Sequence, residues 1–560
     1  MKYILTLIYS LLALFNTSNT SHATPTTPPQ SAVVSAHPLA TKAGQEILEQ
    51  GGNAFDAAVA MSAALAVVEP FGSGLGGGGF WLIFDAKSQQ YIMVDARETA
   101  PEAAYKTMYL DDTGMPVAKA STEGPLAAGI PGVPAALAYV SAHYGDLNLQ
   151  TVLAPAIELA EHGFAIDQRY LKGAQHKKNL LLKNREAADI FLDHGEVPAI
   201  GWRLKQPDLA NTLRQISLTA GGSFYQGRNA EHMVDDIRHH GGIWSIKDLN
   251  NYKIIIREPI VGTYRGTKII TPDLPSSGGL VLNNTLNILA GFDLPHLPSA
   301  TQKHLIIEAL KRGYQERAEV MGDKDFIDVP SERLLSQQHA TQQRQSIHLD
   351  KATDSHLLSP LKPEINKGTD TTHFAAIDKK GNRVAVTQSI NFWFGSGFVP
   401  QGTGVLLNNE MDDFSIKPGI ENGYGLIGGR ANAIAPGKRM LSSMTPTFLE
   451  NEKGMAILGT PGGSRIISMV LLGTLNWLEG LNAKDIVTAP RFHHQFHPDV
   501  VYYEEGSFSP DEIHALHDKG HTLKQTSQPY GNMQAILWDY HSNKITTASD
   551  PRGSGSGRVY

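Results

Sequence analysis

Two short apolar runs on either side of the charged turn DKKGNR fix how one long hairpin of this chain must pair. In TDTTHFAAIDKKGNRVAVTQSIN, residues 369–391, strand-forming residues fill 374–377 and 384–390, and turn residues separate them. A three-residue loop over 379–381 would put Gly381 at the left-handed position after a type I turn, so that Asp378 faces Asn382. Counting back seven places on each strand sets Thr371 opposite Ser389 on one face, with Cβ atoms roughly 5 Å apart. Asn391 would lie two places further along that face. A slip of one residue would turn Ser389 away, so the loop decides which hydroxyls meet. Taken by itself, the hairpin also reads as an ordinary core element whose Thr and Ser suit a pleated surface.

At 560 residues, with 41% hydrophobic and 18% charged side chains, the chain can bury a large core. Its 48 Lys and Arg against 55 Asp and Glu give a net charge of −7, which supplies no global field for nucleic acid or an anionic membrane. Lys2, an apolar run over 4–15 and a polar stretch ending in Ser21, His22 and Ala23 match a secretory signal peptide cut near Ala23. An uncleaved anchor is the alternative, but the run is short for a bilayer. We therefore expect export, to a periplasmic or extracellular compartment. The chain has no cysteine, which excludes a disulfide framework, a thiol nucleophile and a cysteine lipid anchor.

Between residues 40 and 70 two helices are expected, the first ending at Gly51 and Gly52, the second capped by Asn53 and stopped by Pro70. The second is apolar nearly all round and should be buried. Gly72, Gly74 and Gly77 have the GxGxxG spacing, yet they follow a helix and lead into a strand over 80–84. A dinucleotide fingerprint needs the reverse order, so close backbone packing is the better reading. Residues 331–370, rich in Gln, Ser, His and Lys, read as an exposed tether that divides the chain between Asp370 and Thr371.

A Thr hydroxyl needs a neighbouring base to act as a nucleophile, and the free amine of the same residue can serve. Attack of the Thr371 hydroxyl on the Asp370 carbonyl would give an ester that water opens, leaving Thr371 as a new N-terminus. Its amine, with a pKa near 7.7–8.0, would be partly unprotonated at working pH.

The blocks GGNAFDAAVA, LGGGGFWLI, DARETAP, PSSGG, TTHF, LLNNEMDDFSIKPG, RMLSSMTPT, TPGGSRII and APRFHHQ occur in that order across the chain. In them the chain resembles the γ-glutamyltransferases (glutathione hydrolases), two-segment enzymes of the N-terminal nucleophile hydrolase class. The resemblance implies an α+β fold, a four-layer αββα sandwich built jointly by residues 24–370 and 371–560. It implies cleavage of γ-glutamyl donors such as glutathione through a γ-glutamyl-threonine ester, with transfer to water or to an amino acid or dipeptide. No cofactor or metal is implied, and the partners are those small molecules and the chain's own two segments.

By the same resemblance Thr371 is the nucleophile and Asn391 a substrate contact, while Ser389 stands where the family usually has Thr. Serine keeps the hydroxyl and loses the methyl that restricts its rotamer. Trp393 also replaces a smaller residue, on the acceptor side of the cleft. Glu410 and Asp413 match the acids that hold the substrate ammonium; without the family they would read as solvated loop carboxylates. Arg97 matches the residue gripping the substrate α-carboxylate through its planar fork, the alternative being a salt bridge to Asp95 or Glu98. Ser442 and Ser443 match hydroxyls binding that carboxylate, and alone would read as a cap or turn. Gly462 and Gly463 match the oxyanion hole and also suit a tight turn before a helix starting near Ser464.

Residues 417–429 resemble a lid loop of some bacterial members, with Tyr424 shielding the donor, or form an inert surface loop. His493, His494 and His497 have metal-like spacing without a supporting carboxylate motif, and read as structural. Two rival functions remain: a glutaryl or cephalosporin-type acylase, which would not need the ammonium-binding acids, and an uncleaved peptide-binding homologue.

Overall fold

In the computed structural model, which describes residues 27–359 and 371–560, three apolar cores alternate with four layers of structure and a fourth, smaller cluster gathers Tyr109, Met411, Phe414 and Met440. The expected leader and residues 360–370, Asp370 among them, lie outside the described residues.

One sheet runs in the order Ser556–Val559, Ala32–Ser35, Thr372–Ile377, Arg383–Ser389, Gly78–Asp85, Gln90–Ala96 and Ile255–Arg257. The other runs Lys544–Ser549, Gln534–Asp539, Gly454–Gly459, Thr447–Asn451, Thr267–Thr271 and Ile260–Tyr264. Because side chains alternate along a strand, Phe374 and Ala376 face the first helical layer while Ala375 and Ile377 face the second sheet. Phe448, Met455, Ile457 and Trp538 meet them from across the gap. The far face of the second sheet, with Leu449, Ala456 and Leu458, packs on the helices Ser277–Leu289, Ser299–Val320 and Ile466–Leu478. This is the expected αββα sandwich. Both sheets mix strands from before residue 370 with strands from after it, so the two stretches of chain fold as one body.

The helix Ala54–Val68 is buried at all fifteen positions and starts with the expected Asn53 cap, a capping box closed by Asp56. The glycines after it lead into the strand Gly78–Asp85, and close packing explains Gly77, where a Cβ would stand 1.9 Å from the Ser389 carbonyl oxygen, but not Gly72 or Gly74, where it would meet nothing nearer than 3.6 Å. The hairpin turn forms as expected, with Gly381 at φ +92° and its N–H donating to the Asp378 carbonyl at 3.0 Å.

The tether expected over 331–370 is not what residues 331–359 form. They make the helices Ser331–Leu335 and Gln337–Gln345, docked on the helix Ser277–Leu289, with Leu334 and Ala340 buried. Few apolar residues suffice because each helix is short and buries one side only. His339 completes the contact by pairing with Glu316 at 2.5 Å.

Candidate active site

Pairing of Gln388 with Thr372, Thr387 with His373 and Arg383 with Ile377 continues to Thr371 opposite Ser389, the register expected from the turn. Both side chains are buried, and the Thr371 hydroxyl donates to the Ser389 Oγ at 3.4 Å. Alternation turns them toward the second sheet, whereas Thr372 points the other way, its hydroxyl donating to Glu69 at 2.6 Å beyond the end of the buried helix. Thr371 is thus moored through its neighbour. His373, two places further along the chain, is neutral at pH 7 because burial lowers its pKa to about 3.

Asn391 departs from the expected face. The strand ends at Ser389, and Asn391 turns back with φ +76°, so that its N–H donates to the Ser389 Oγ at 2.7 Å. Its side-chain amide donates to the Asn409 carbonyl at 2.9 Å. It still lines the same cavity, held there by backbone reversal instead of strand alternation.

Arg97 lies at the end of the strand Gln90–Ala96, wholly buried. Its guanidinium reaches Glu410 at 2.7 Å and Asp413 at 2.5 Å, with Glu98 at 3.5 Å. Neither local alternative is the main partner: Asp95 takes Arg257 and Arg439 instead. Glu410 and Asp413 are not solvated loop acids but one wall of this cluster. Burial pushes Glu98 up to about 7, with Arg97 pulling the other way, and pushes Glu410 well above the usual carboxylate range. Among the described residues the Glu410 Oε1 has no hydrogen-bond partner.

The buried Ser443 Oγ likewise has no partner among the described residues, while Ser442 Oγ accepts from the Met444 N–H at 3.1 Å. Both serines line the cavity with Thr371, Ser389 and Arg97. Gly462 and Gly463 follow the strand Gly454–Gly459 and open the helical turn Gly463–Arg465, with φ of +140° and +56°. Among the described residues their N–H groups find no protein acceptor. Segment 417–429 folds over the cavity. Tyr424 is buried, its hydroxyl donates to the Asn391 carbonyl at 2.9 Å, and its ring stands where a Cβ on Gly463 would be 2.2 Å away. The space left beneath it is about 20 Å³, room for one water molecule.

Sequence reasoning missed Arg317, which reaches the cavity from the helix Ser299–Val320. Its Nε donates to Ser277 Oγ at 2.9 Å, and Ser277 in turn donates to the Ser442 carbonyl at 2.6 Å. Burial lowers its pKa to about 10, opposed by Asp413. One Arg in a charged helix carries no signal of its own, although its partner Ser277 belongs to the PSSGG block. Of the three spaced histidines, His493 bonds to Ser468 and Gln495 and His494 to Asp499. Ligand-type atoms of His304, Glu308 and His521 lie within 4.8 Å of one another, but Glu308 is already engaged by Arg312, Lys311 and the Thr353 N–H. The two rings satisfy each other at 2.7 Å.

The Gamma-glutamyltranspeptidase family profile matches residues 40–560. The glutathione hydrolase proenzyme of Pseudomonas sp. (strain A14) is 41% identical over 553 residues, covering 96% of each chain. That of Escherichia coli (strain K12) is 40% identical over 528 residues, 93% of this chain and 90% of the relative. Among solved structures, a cephalosporin acylase from Bacillus halodurans superimposes with a TM-score of 0.82 at 28% identity, over 99% of each chain. The Helicobacter pylori gamma-glutamyltranspeptidase gives 0.56 at 40% identity, over 57% of this chain and 92% of that one.

Proposed function

Because the chain belongs to the gamma-glutamyltranspeptidase family, we propose that it is an exported proenzyme that cuts itself between Asp370 and Thr371 and then transfers γ-glutamyl groups from Thr371. The observation that carries this reading is a single buried cavity holding Thr371, Ser389, Arg97, Glu410, Asp413, Ser442, Ser443 and Gly463 together. Two polar atoms left unsatisfied there, Glu410 Oε1 and Ser443 Oγ, complement the two charged ends of an α-amino acid. The ammonium would satisfy the first and the carboxylate the second. Such orphans each cost about 1–3 kcal/mol, which a bound donor restores.

In the proposed sequence the new α-amine of Thr371 takes the hydroxyl proton while Oγ1 attacks the γ-carbonyl. Ser389 orients that hydroxyl. The N–H groups of Gly462 and Gly463 receive the oxyanion, a pair of donors each worth about 2.7–4 kcal/mol of barrier. The leaving amine departs with the proton, and water or an acceptor amine, activated by the same α-amine, releases the γ-glutamyl group. Tyr424 must swing out to admit a donor, since the covered cavity holds only a water.

The structural likeness to a cephalosporin acylase keeps the acylase reading alive. Glu410 and Asp413 argue against it, because a glutaryl group has no ammonium to place beside them. N-terminal sequencing of the smaller fragment, with glutamate release from γ-glutamyl anilide compared with glutaryl anilide hydrolysis, tests both points. A terminus other than Thr371, or faster turnover of the glutaryl compound, would overturn the proposal.

A further inference from the structure

Immediately outside Tyr424 and Gly462 lies a second, open cleft of about 1290 Å³, sharing its inner wall with the donor cavity at the pairs Asn391–Phe392, Gly423–Tyr424 and Gly462–Gly463. This space adjoins the glycine N–H groups proposed to hold the reacting centre. In a chain of net charge −7, the cleft is lined by eight Lys and Arg side chains and one acidic residue, Glu123. Carboxylates offset several of these: Glu123 in the wall pairs with Lys119 and Lys183, and behind the wall Glu69 pairs with Arg169 and Glu504 with Arg552.

Three of the remaining four, Lys172, Lys524 and Arg465, carry the argument. Lys172 and Lys524 are exposed, and the described residues place no carboxylate within 4 Å of either. Arg465, two residues past Gly463, is in the same position, its guanidinium 4.4 Å from the ring centre of Tyr530 and 5.8 Å from that of Tyr502. Stacking holds the guanidinium by its faces and leaves its donor edges open, the arrangement suited to receiving a carboxylate. A cleft with walls of one sign concentrates ligands of the opposite sign.

We propose that this cleft is the leaving-group and acceptor subsite, and that it selects γ-glutamyl compounds whose amine partner carries two or more carboxylates. The inference rests on the γ-glutamyl transfer reading above and adds the chemistry of the other half of the substrate. Arg465 takes the first carboxylate, next to the oxyanion glycines. Lys172 and Lys524, elsewhere in the lining, take the others.

The test uses the self-cleaved enzyme and three donors, γ-glutamyl-alaninamide, γ-glutamyl-alanine and γ-glutamyl-aspartate, whose leaving amines carry no, one and two carboxylates. Glutamate release should give a kcat/KM ratio of diacid to neutral amide of about tenfold at about 10 mM salt, falling toward unity at about 1 M as the field is screened. Lys172→Glu with Lys524→Glu should bring the low-salt ratio to one or below. Lys172→Gln with Lys524→Gln serves if the first pair fails to mature into two segments. A ratio near one in the wild-type enzyme at low salt, or a ratio untouched by either double variant, would overturn the subsite. Failure of the wild-type enzyme to cleave even the neutral amide would instead overturn the underlying γ-glutamyl reading.

Discussion

Ser389 Oγ stands between two donors, the Thr371 hydroxyl at 3.4 Å and the Asn391 N–H at 2.7 Å, so the turn after the strand fixes the acceptor that orients the proposed nucleophile. Ser389→Ala removes that acceptor and should lower kcat by about tenfold or more, the worth of one oriented hydrogen bond. Ser389→Thr keeps it with a stiffer χ1 and should match or exceed the wild type. Steady-state rates on a γ-glutamyl anilide distinguish the two outcomes.

Ser443→Ala should raise KM for γ-glutamyl donors by about tenfold or more and change kcat little. The hydroxyl contributes to holding the donor carboxylate in ground state and transition state alike, a charge-assisted bond worth about 1.5–3 kcal/mol. Equal KM values would show that this buried hydroxyl does not meet the substrate.

Glu410 must be ionised to accept an ammonium, and burial raises its pKa. Donor capture should therefore strengthen as pH rises and Glu410 loses its proton, giving an acid limb in kcat/KM. Glu410→Gln, which cannot titrate, should weaken that limb, leaving the contributions of Glu98, which burial raises to about 7, and of the Thr371 amine. The profile of kcat/KM from pH 5.5 to 9 in both proteins checks the sign.

Gly463→Ala places a methyl group at φ +56°, 2.2 Å from the Tyr424 ring. The loop 417–429 should be displaced and kcat should fall by about 10² or more as the glycine N–H shifts. Adding Tyr424→Gly relieves the clash, so the double variant should recover part of the loss. No recovery would assign the whole effect to backbone strain.

Burial lowers the pKa of His521 to about 3, and in the unfolded chain it returns to about 6.5. A lowered pKa means that the unfolded state binds the extra proton. The stability from keeping His521 neutral is complete above pH 6.5 and drains away as pH falls toward 3, about 2 kcal/mol of it by pH 5. The difference in melting temperature between wild type and His521→Gln should therefore shrink between pH 7.5 and 5.

Local chemistry made the hairpin legible. A glycine at the left-handed turn position sets the register, and the register carries Thr371 to Ser389 without knowledge of the remaining fold. The Ala54–Val68 helix was equally plain, because an Asn cap, a Pro stop and an all-apolar face agree. What local pattern could not supply was the direction of charged side chains. Arg97 has acids on both sides in sequence, yet its partners come from more than 300 residues away. Arg317 enters the cavity from a long helix that packs on the helix Ser277–Leu289, and the cover of residues 331–359 comes from that same helix, so neither is visible in local pattern. Asn391 was misplaced by one step of geometry, since strand alternation stops at Ser389.

The interleaving of strands from before and after residue 370 decides what becomes of a nicked molecule. Neither piece owns a complete sheet, so the native particle would keep its size and shape after the cut, and only denaturant would reveal two bands. Once melted, however, the halves would have lost the tether that made their meeting intramolecular, and refolding would depend on concentration. Maturation of this kind runs in one direction: the precursor could recover from unfolding, and the finished enzyme would be spent by it.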